Sequence, residues 1–437
     1  MPEFKADVFQ NEYLADGDTD AHAVVSVTCS GAGLAGQTGL GDAAEVLIVD
    51  TSGSMDMPPT KIAAARRAAK VVVEEIVDGT WFAVVSGHSV AQMVYPSHPG
   101  MARMTATTRR DALDAVAKLR SGGATAIGAW IAAATELFDQ APATKRHAIL
   151  LTDGKVEGEP PNALDAALIR ARGRFQCDCR GIGSDWVVDE LRGIADALLG
   201  TVDIVAEPAD LEADFGAMIR TSMGRGVADA RLRVWAPQGS EVQFVRQVAP
   251  VVEDLTPRGV QTSPLVREFP TGAWGDESRD YHVSVRVPPA PVGSERLAAR
   301  VEVVVNDQVL AKGLVRAVWS TDANLTTRID PAVAHYTGQT KLADAIQQGL
   351  AARAAGDERT ATTLLGEAAK LAHDTGNEST TRLLNKVVDV VDAEAGTVRL
   401  KRDVDKADEM ALDTRSTKTT RIRRTSEVHE PAADGGA

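Results

Sequence analysis

The feature that most restricts the fold is a regular alternation of apolar strands and amphipathic helices between Ala44 and residue 221. Apolar runs such as 46–49 are typical of buried strands, and 59–76 carries apolar residues at the spacing of a helix with one buried face. Strands separated by helices form a parallel sheet with helices on both faces. The pattern therefore predicts an α/β domain with a doubly wound, mostly parallel sheet. The other predicted strands are 81–85, 91–95 (at an edge), 147–152, 177–182 and 201–206, and the other predicted helices are 107–119, 126–139, 162–172, 186–198 and 208–221.

Three segments of this domain carry oxygen-bearing side chains. The first strand is followed by Asp50, Ser52 and Ser54, with a glycine between the serines that allows a tight turn. A second strand is followed by Asp153, and a glycine-rich turn before a helix contains Thr125. Ligands gather outside the carboxyl ends of parallel strands, and oxygen ligands without His or Cys suit Mg²⁺, Ca²⁺ or Mn²⁺. The sequence predicts a hard-cation site; the alternative is a serine-rich turn without a metal.

The order of these elements resembles a known site. Asp-x-Ser-x-Ser, then Thr, then Thr-Asp-Gly is similar to the metal-ion-dependent adhesion site of von Willebrand factor type A domains. Three separated elements agree in order and in structural context, and the resemblance covers residues 42–222. It implies a divalent cation, most readily Mg²⁺. The ligands that it implies are the hydroxyls of Ser52, Ser54 and Thr125 and, directly or through water, the carboxylates of Asp50 and Asp153.

The chemistry of such a site favours binding over catalysis. Neutral hydroxyls leave much of the charge of a cation uncompensated, so the ion can accept a carboxylate from a partner protein, which is how ligands are captured in the family. Hydrolysis would also need a base positioned near a metal-bound water. His88, His98 and Glu157 lie in loops that can approach the site, but isolated polar loop residues more often face solvent. We therefore assign no catalytic residue.

The regions outside residues 42–222 follow other patterns. From 226 to 325 the apolar residues alternate with a period of two, which predicts an antiparallel β-sandwich. Residues 1–40 contain one alternating segment, and we expect this strand to join the sandwich because a single strand is not stable alone. Residues 331–394 carry three apolar stripes at helical spacing, which predict a small helical bundle packed on the sandwich; a weak similarity to a tetratricopeptide-type pair is the alternative.

The last segment, 395–437, is polar and poor in apolar residues, as expected of a mostly disordered tail. Basic residues alternate there with hydroxyls, as in the substrates of many Ser/Thr kinases. Thr419 and Thr425 are candidate phosphorylation sites, because each has an aliphatic residue three positions later. That spacing is similar to peptides read by forkhead-associated (FHA) domains. The alternative interpretation is a solvated tail.

Composition excludes several classes of function. The chain has 437 residues and a net charge of −14, which argues against nucleic-acid binding. No window approaches the roughly 20 apolar residues of a membrane span, and the N-terminus lacks the pattern of a signal peptide, so we expect a cytoplasmic protein without a membrane partner. Three cysteines form no disulfide framework. Cys177 and Cys179 are interpreted as small buried side chains on one face of a strand.

Three functions follow from these predictions. The first is a non-catalytic interaction module that grips an acidic residue of a partner through the cation and connects to phosphothreonine signalling through its tail. The whole-chain arrangement resembles type A proteins of actinobacteria, and the composition rich in Ala and Arg fits a GC-rich genome. The second is the co-factor subunit of a separate MoxR- or chelatase-type AAA+ ATPase, since the chain has no Walker A pattern. The third is a metal-dependent enzyme, against which the missing base argues.

Overall fold

The structure, a computed structural model, describes residues 2–33 and 43–421. The chain begins with three strands, β1 (Glu3–Asn11), β2 (Tyr13–Leu14) and β3 (Asp20–Ser30). The first and third pair antiparallel along their whole lengths. This N-terminal segment therefore supplies a hairpin before the α/β domain begins.

The α/β domain follows as seven strands and six helices. Its strands are β4 (Ala43–Asp50), β5 (Trp81–Gly87), β6 (Ala91–Tyr95), β7 (Ala102–Arg103), β8 (Lys145–Thr152), β9 (Gln176–Ile182) and β10 (Val202–Val205). Its helices are α1 (Thr60–Glu75), α2 (Ala106–Val116), α3 (Ile127–Gln140), α4 (Ala163–Ala171), α5 (Val188–Ala197) and α6 (Leu211–Met223).

The sheet of this domain has the order β10-β9-β8-β4-β5-β6, with β7 beside β5. Only β6 and β7 run antiparallel to their neighbour. Val46 packs on one face with Trp130 of α3, and Leu47 packs on the other face with Phe215 of α6. Both faces are buried because alternate side chains of a strand point in opposite directions. The structure confirms the predicted doubly wound, parallel-rich sheet.

The chain then forms a run of strands in the part predicted to be a sandwich. These strands are β11 (Val227–Trp235), β12 (Glu241–Ala249), β13 (Glu253–Asp254), β14 (Val260–Ser263), β15 (Val266–Trp274), β16 (Glu277–Arg286), β17 (Glu295–Val305) and β18 (Gln308–Trp319).

Two sheets with the orders β1-β3-β16-β12-β13 and β14-β15-β11-β17-β18-β2 form the β-sandwich. Every pairing is antiparallel except the short one between β18 and β2. The N-terminal strands thus belong to the sandwich, and the α/β domain is inserted between β3 and β11. The sequence analysis missed β1 because only Phe4, Ala6 and Val8 alternate there, among polar and charged residues.

The sandwich contacts the amino ends of the parallel strands. The backbone N–H of Ala273 donates a 3.1 Å hydrogen bond to the side-chain oxygen of Gln176, the first residue of β9. Helix α6 ends at Met223 and leads into β11, and Ser222 in its last turn donates to Glu45 near the start of β4. The carboxyl ends of β4 and β8 therefore lie at the end of the sheet away from the sandwich.

The C-terminal region, as far as residue 421, contains four helices, one hairpin and a last helix. They are α7 (Ala323–Thr326), α8 (Pro331–Ala354), α9 (Glu358–Asp374), α10 (Glu378–Val387), β19 (Val388–Asp392), β20 (Thr397–Leu400) and α11 (Lys406–Arg415). The predicted third helix ends at Val387, because a run of β-branched valines continues as a strand instead. Tyr336 of α8 packs against Val24 and Val248 of the sandwich. No helix among the described residues is long and apolar enough to cross a membrane.

The predicted disorder from residue 395 onwards is wrong for the part that the structure describes. Strand β20 pairs with β19, and α11 is a regular helix. Met410 and Ala411 enter the core of the α/β domain, and Leu412 enters the core of the helical region. The few apolar residues of this segment are enough to stabilise it, because they enter cores that distant parts of the chain build. The local composition does not reveal these contacts.

Residues 416–421, here named the C-terminal strap, join the last helix to the rest of the molecule. Arg415, just before the strap, and Lys418 both contact the Asp203 carboxylate of β10, at 2.8 and 2.6 Å. The Asp203 side chain is mostly buried, and although burial opposes it, the two cations keep the pKa of that carboxyl below its usual range. These ion pairs bind the strap to the α/β domain.

The strap also contacts the sandwich. The Thr419 hydroxyl donates a 2.7 Å hydrogen bond to the Val248 carbonyl. The Arg421 guanidinium lies 2.9 Å from a carboxylate oxygen of Asp280, which is fully buried. The strap therefore fastens the α/β domain to the sandwich.

Asp203→Asn is expected to loosen the strap and to lower the free energy of unfolding by about 1–2 kcal/mol, since a largely buried acceptor of two half-exposed cations loses its charge. The measurement is amide hydrogen exchange, read at Val252 and Thr419, whose N–H groups bond across the strap. Asp139→Asn, at an exposed ion pair with Arg174 on α3, is the matched control. Equal exchange in the two variants would show that Asp203 does not hold the strap.

Candidate metal centre

The loop after β4 holds its polar side chains in a fixed arrangement. One carboxylate oxygen of Asp50 accepts a 2.7 Å hydrogen bond from the backbone N–H of Ser52. The Gly53 N–H donates to the Gly123 carbonyl at 3.0 Å, which ties this loop to the glycine-rich turn. A short 3-10 helix, Gly53–Asp56, then turns the chain towards α1. The loop thus presents Ser52 and Ser54 above the strand end.

The second strand end completes a chain of hydrogen bonds. The Ser54 hydroxyl donates to one carboxylate oxygen of Asp153 at 2.7 Å, and the hydroxyl oxygens of Ser52 and Ser54 lie 2.9 Å apart. The Thr152 hydroxyl, the last side chain of β8, donates to Asp50. Four of the five predicted ligands are therefore connected through hydrogen bonds at the carboxyl ends of β4 and β8.

Thr125 lies at the same place. A methyl group added at Gly154 would stand 3.0 Å from the Thr125 hydroxyl and 3.6 Å from the Ser54 hydroxyl, so both hydroxyls border one point. Thr125 as a whole residue is 5% exposed, and its hydroxyl makes no hydrogen bond to another described residue. A hydroxyl that has no protein partner and is not fully enclosed is free to bind a ligand. The structure thus brings all five predicted residues together.

These groups fit a hard divalent cation. They offer two carboxylates and three hydroxyls, all of them oxygen donors. No group of three or more His, Cys, Asp and Glu side chains that could hold a metal occurs in residues 2–33 and 43–421. Burial raises the pKa of the Asp50 carboxyl to about 6, although bonds from Ser52 and Thr152 act in the opposite direction. A cation at this place would offset the cost of burying that charge.

The sequence analysis missed one group of the site, the Lys61 ammonium. Lys61 lies in the first turn of α1, and its Nζ is 2.7 Å from the second carboxylate oxygen of Asp153 and 3.4 Å from Asp185. Burial alone would lower the pKa of Lys61, but the two carboxylates raise it. The sequence did contain a signal for the burial of Lys61. Lys61 lies four residues before Ala65, and residues at this spacing share one side of a helix, here the buried side.

The three loop residues considered as catalytic bases make other contacts. The ring of His88 borders Gly123, and the backbone carbonyl of His88 accepts a hydrogen bond from the indole N–H of Trp130. Glu157 pairs with Lys155 at the surface, and His98 is exposed and lies beside Pro99. None of these three side chains hydrogen-bonds to Asp50 or Asp153 in the part of the chain that the structure describes.

A second polar cluster, which the sequence analysis also missed, lies at the opposite end of the sheet. The two ring nitrogens of His147 contact carboxylate oxygens of Glu45 and Asp178 at 2.7 and 2.9 Å. Ser222 of α6 donates to Glu45, and Thr201 donates to Asp178. Despite its burial, the two carboxylates raise the pKa of His147 to about 9, so it is an imidazolium at neutral pH. This cluster joins β4, β8 and β9 through buried charge.

The structure describes the cysteine pair and one of the two candidate phosphorylation sites. Cys177 and Cys179 are free thiols buried in the core of the α/β domain. Thr419 is half-buried in the strap. Thr425 lies outside the described residues.

Together, the inserted doubly wound domain and the hydroxyl-rich strand ends define an α/β protein of the type A class. Comparison with family models matches residues 44–204 to the von Willebrand factor type A domain and residues 370–416 to the von Willebrand factor type A C-terminal domain. Strand β20 and helix α11, which the sequence analysis placed in a disordered tail, lie within the second match. No curated protein sequence matches the chain.

Two solved structures resemble the whole chain. A von Willebrand factor type A protein from Catenulispora acidiphila is 48% identical, with a TM-score of 0.91, over 96% of this chain and 98% of that one. The ArnB paralog VWA2 from Sulfolobus acidocaldarius shares 16% identity and a TM-score of 0.56, over 95% and 98%, which shows a common fold. The chain belongs to the von Willebrand factor type A family. Domains of this family are generally non-catalytic interaction or adhesion modules, and they typically bind a divalent metal ion.

Proposed function

We propose that this protein is a non-catalytic interaction module that binds an acidic side chain of a partner protein through a divalent cation, Mg²⁺ in the first place. Asp50, Ser52, Ser54, Thr125 and Asp153 would hold the cation. The observation that carries the proposal is the convergence of these five side chains, with the Thr125 hydroxyl unpaired among the described residues. When bound, the cation supplies a positive centre that accepts a further oxygen ligand.

The charge of the site supports a partner carboxylate. Hydroxyl ligands are neutral, so the charge of a divalent ion is offset only by Asp50 and Asp153, and Lys61 already pairs with Asp153 at 2.7 Å. The centre as a whole therefore stays positive. An acidic side chain from outside both completes the coordination and neutralises this charge.

The surroundings of the site support a macromolecular partner. The site lies at the sheet end away from the sandwich, and Ser54 is partly accessible. Loops around it carry exposed apolar side chains: Met57 follows the serine loop, Val90 belongs to the turn beside the glycine loop, and Val187 precedes α5. Their exposed fractions are 77%, 54% and 37%. Apolar side chains around a polar centre are typical of protein contact surfaces.

Affinity capture from a native lysate tests this function. We expect a partner that the purified protein retains in Mg²⁺ and releases in EDTA, and that Ser54→Ala retains poorly. Asp139→Asn, at an exposed pair with Arg174 near the carboxyl end of α3 and away from the site, is expected to retain the partner as the unsubstituted protein does. If the retained partners bind equally well in EDTA and to Ser54→Ala, the binding surface lies in another part of the molecule and the proposed function is wrong.

The other predicted roles stay predictions. An AAA+ ATPase partner is tested by stimulated nucleotide hydrolysis in a mixture of the two proteins. For phosphothreonine signalling, the hydrogen bond from Thr419 to Val248 means that a kinase could reach Thr419 only after the strap has left the sandwich. A metal-dependent enzyme would show a turnover that vanishes in Ser52→Ala.

A further inference from the structure

Lys61 places a buried positive charge inside the proposed metal centre. Its ammonium lies 2.7 Å from Asp153, whose carboxylate is fully buried, while only 7% of the Lys61 side chain is exposed. The second contact, Asp185 at 3.4 Å, is 68% exposed and is therefore well screened by solvent. Asp153 is thus the main counter-charge of Lys61.

Both carboxylate oxygens of Asp153 are already engaged. One accepts the hydroxyl of Ser54 and the other accepts the ammonium of Lys61. A cation that approaches Asp153 must therefore share this carboxylate with Lys61, and two positive charges a few ångströms apart in a partly buried site repel each other strongly. The contact stabilises the loops without a metal and opposes the entry of one.

We propose that Lys61 sets the affinity of the site for its cation: its ammonium competes with the divalent ion for Asp153, so the ion binds weakly until a partner carboxylate adds negative charge. The inference rests on the proposed function. Asp50, Asp153 and Lys61 sum to one negative charge, and a divalent ion changes the sum to one positive charge, which a partner carboxylate neutralises. Without Lys61 the two carboxylates alone would balance the ion. Lys61 thereby makes metal binding weak in the isolated protein and dependent on the partner carboxylate.

The experiment is titration calorimetry of the full chain with MgCl₂ alone. Lys61→Met is expected to bind Mg²⁺ at least about tenfold more tightly than the unsubstituted protein. Lys61→Gln keeps a hydrogen-bond donor without the charge, and we expect the same direction of change, so the result does not depend on the folding of one variant. Lys70→Met removes the same charge from the same helix at a half-buried position and is expected to leave Mg²⁺ affinity unchanged.

Thermal denaturation gives a second readout. Because Asp153 loses its counter-charge, Lys61→Met is expected to melt at a lower temperature in EDTA and to gain more from Mg²⁺ than the unsubstituted protein does. If the unsubstituted protein binds Mg²⁺ and both Lys61 variants bind it equally or more weakly, Lys61 only positions Asp153 and the inference is wrong. If neither the unsubstituted protein nor the variants bind Mg²⁺, the proposed function fails and the inference fails with it.

Discussion

Replacing His147 with leucine is expected to lower the free energy of unfolding by about 3–5 kcal/mol, the loss typical of breaking a buried ion pair by removing one partner. His147, Glu45 and Asp178 are all buried, and the imidazolium holds both carboxylates at hydrogen-bond distance. Leucine fills a similar volume but leaves two buried carboxylates without their cation. Urea denaturation at neutral pH measures the loss.

His98→Leu is the matched control for this prediction. It makes the same substitution at an exposed loop histidine, where surface substitutions usually change stability by less than about 0.5 kcal/mol. A similar small change for His147→Leu would mean that the cluster contributes little net stability, and the account of this end of the sheet would then be wrong.

The same histidine predicts how stability depends on pH. The pKa of His147 is about 9 in the folded chain and 6.5 in its ordinary state. A raised pKa means that the folded state holds the proton more tightly, so this stabilisation is complete below about pH 6.5 and is lost as the pH rises through about 9. Unfolding free energies measured across this interval should fall in the unsubstituted protein. This fall should be absent in His147→Leu. An equal fall in the unsubstituted protein and in His147→Leu would mean that other titratable groups cause the pH dependence.

Asp50→Asn is expected to weaken Mg²⁺ binding by a factor of about 100 or more, because one of the two carboxylates of the site loses its charge. Asparagine keeps the shape of the side chain and an oxygen that can accept the Ser52 N–H. The fold should therefore remain, and in EDTA the variant should be at least as stable as the unsubstituted protein, since burial already disfavours the Asp50 charge. Titration calorimetry measures the affinity, and thermal denaturation in EDTA measures the stability.

The control for Asp50→Asn is Asp56→Asn, which removes an exposed carboxylate from the same loop. We expect it to retain nearly all Mg²⁺ affinity, since exposed charges are screened by solvent. Asp50→Asn with the affinity of the unsubstituted protein would remove Asp50 from the site. Equal weakening in both variants would indicate a general effect of charge instead of a ligand at Asp50.

The sequence predicts the α/β domain and its motif well because their signals are local. The apolar run that ends at Asp50 and the run that ends at Asp153 each identify a buried strand and its carboxyl end, and parallel pairing of β4 with β8 brings the two ends together. Thr125 follows from the glycine-rich turn in the same way. These residues could be predicted without knowledge of distant contacts.

Features formed by long-range contacts were missed. Lys61 reaches Asp153 across 92 residues of chain, and Glu45 reaches His147 across 102. A signal existed for the second pair, since Glu45, His147 and Asp178 are polar residues inside three apolar strands that turn out to be neighbours. Sequence alone does not give the strand order that makes them partners.

The C-terminal strap was mistaken for disorder for a related reason. Its ion pairs and hydrogen bonds use polar side chains such as Lys418, Thr419 and Arg421, whose composition is that of a solvated tail. What distinguishes them is the set of partners, Asp203 and Asp280, which lie far away in the sequence. Composition measures how much apolar area a segment can bury, and here specific polar contacts fix the segment instead.

Anomalous diffraction from a crystal grown with MnCl₂ tests the central claim most directly, because it locates the cation itself. The account predicts one strong manganese peak at the carboxyl ends of β4 and β8, about 2–2.4 Å from hydroxyl oxygens of Ser52 and Ser54, and no peak there in Asp50→Asn. Manganese found elsewhere, or no peak at this place in the unsubstituted protein, would contradict the metal centre and the partner binding proposed for it.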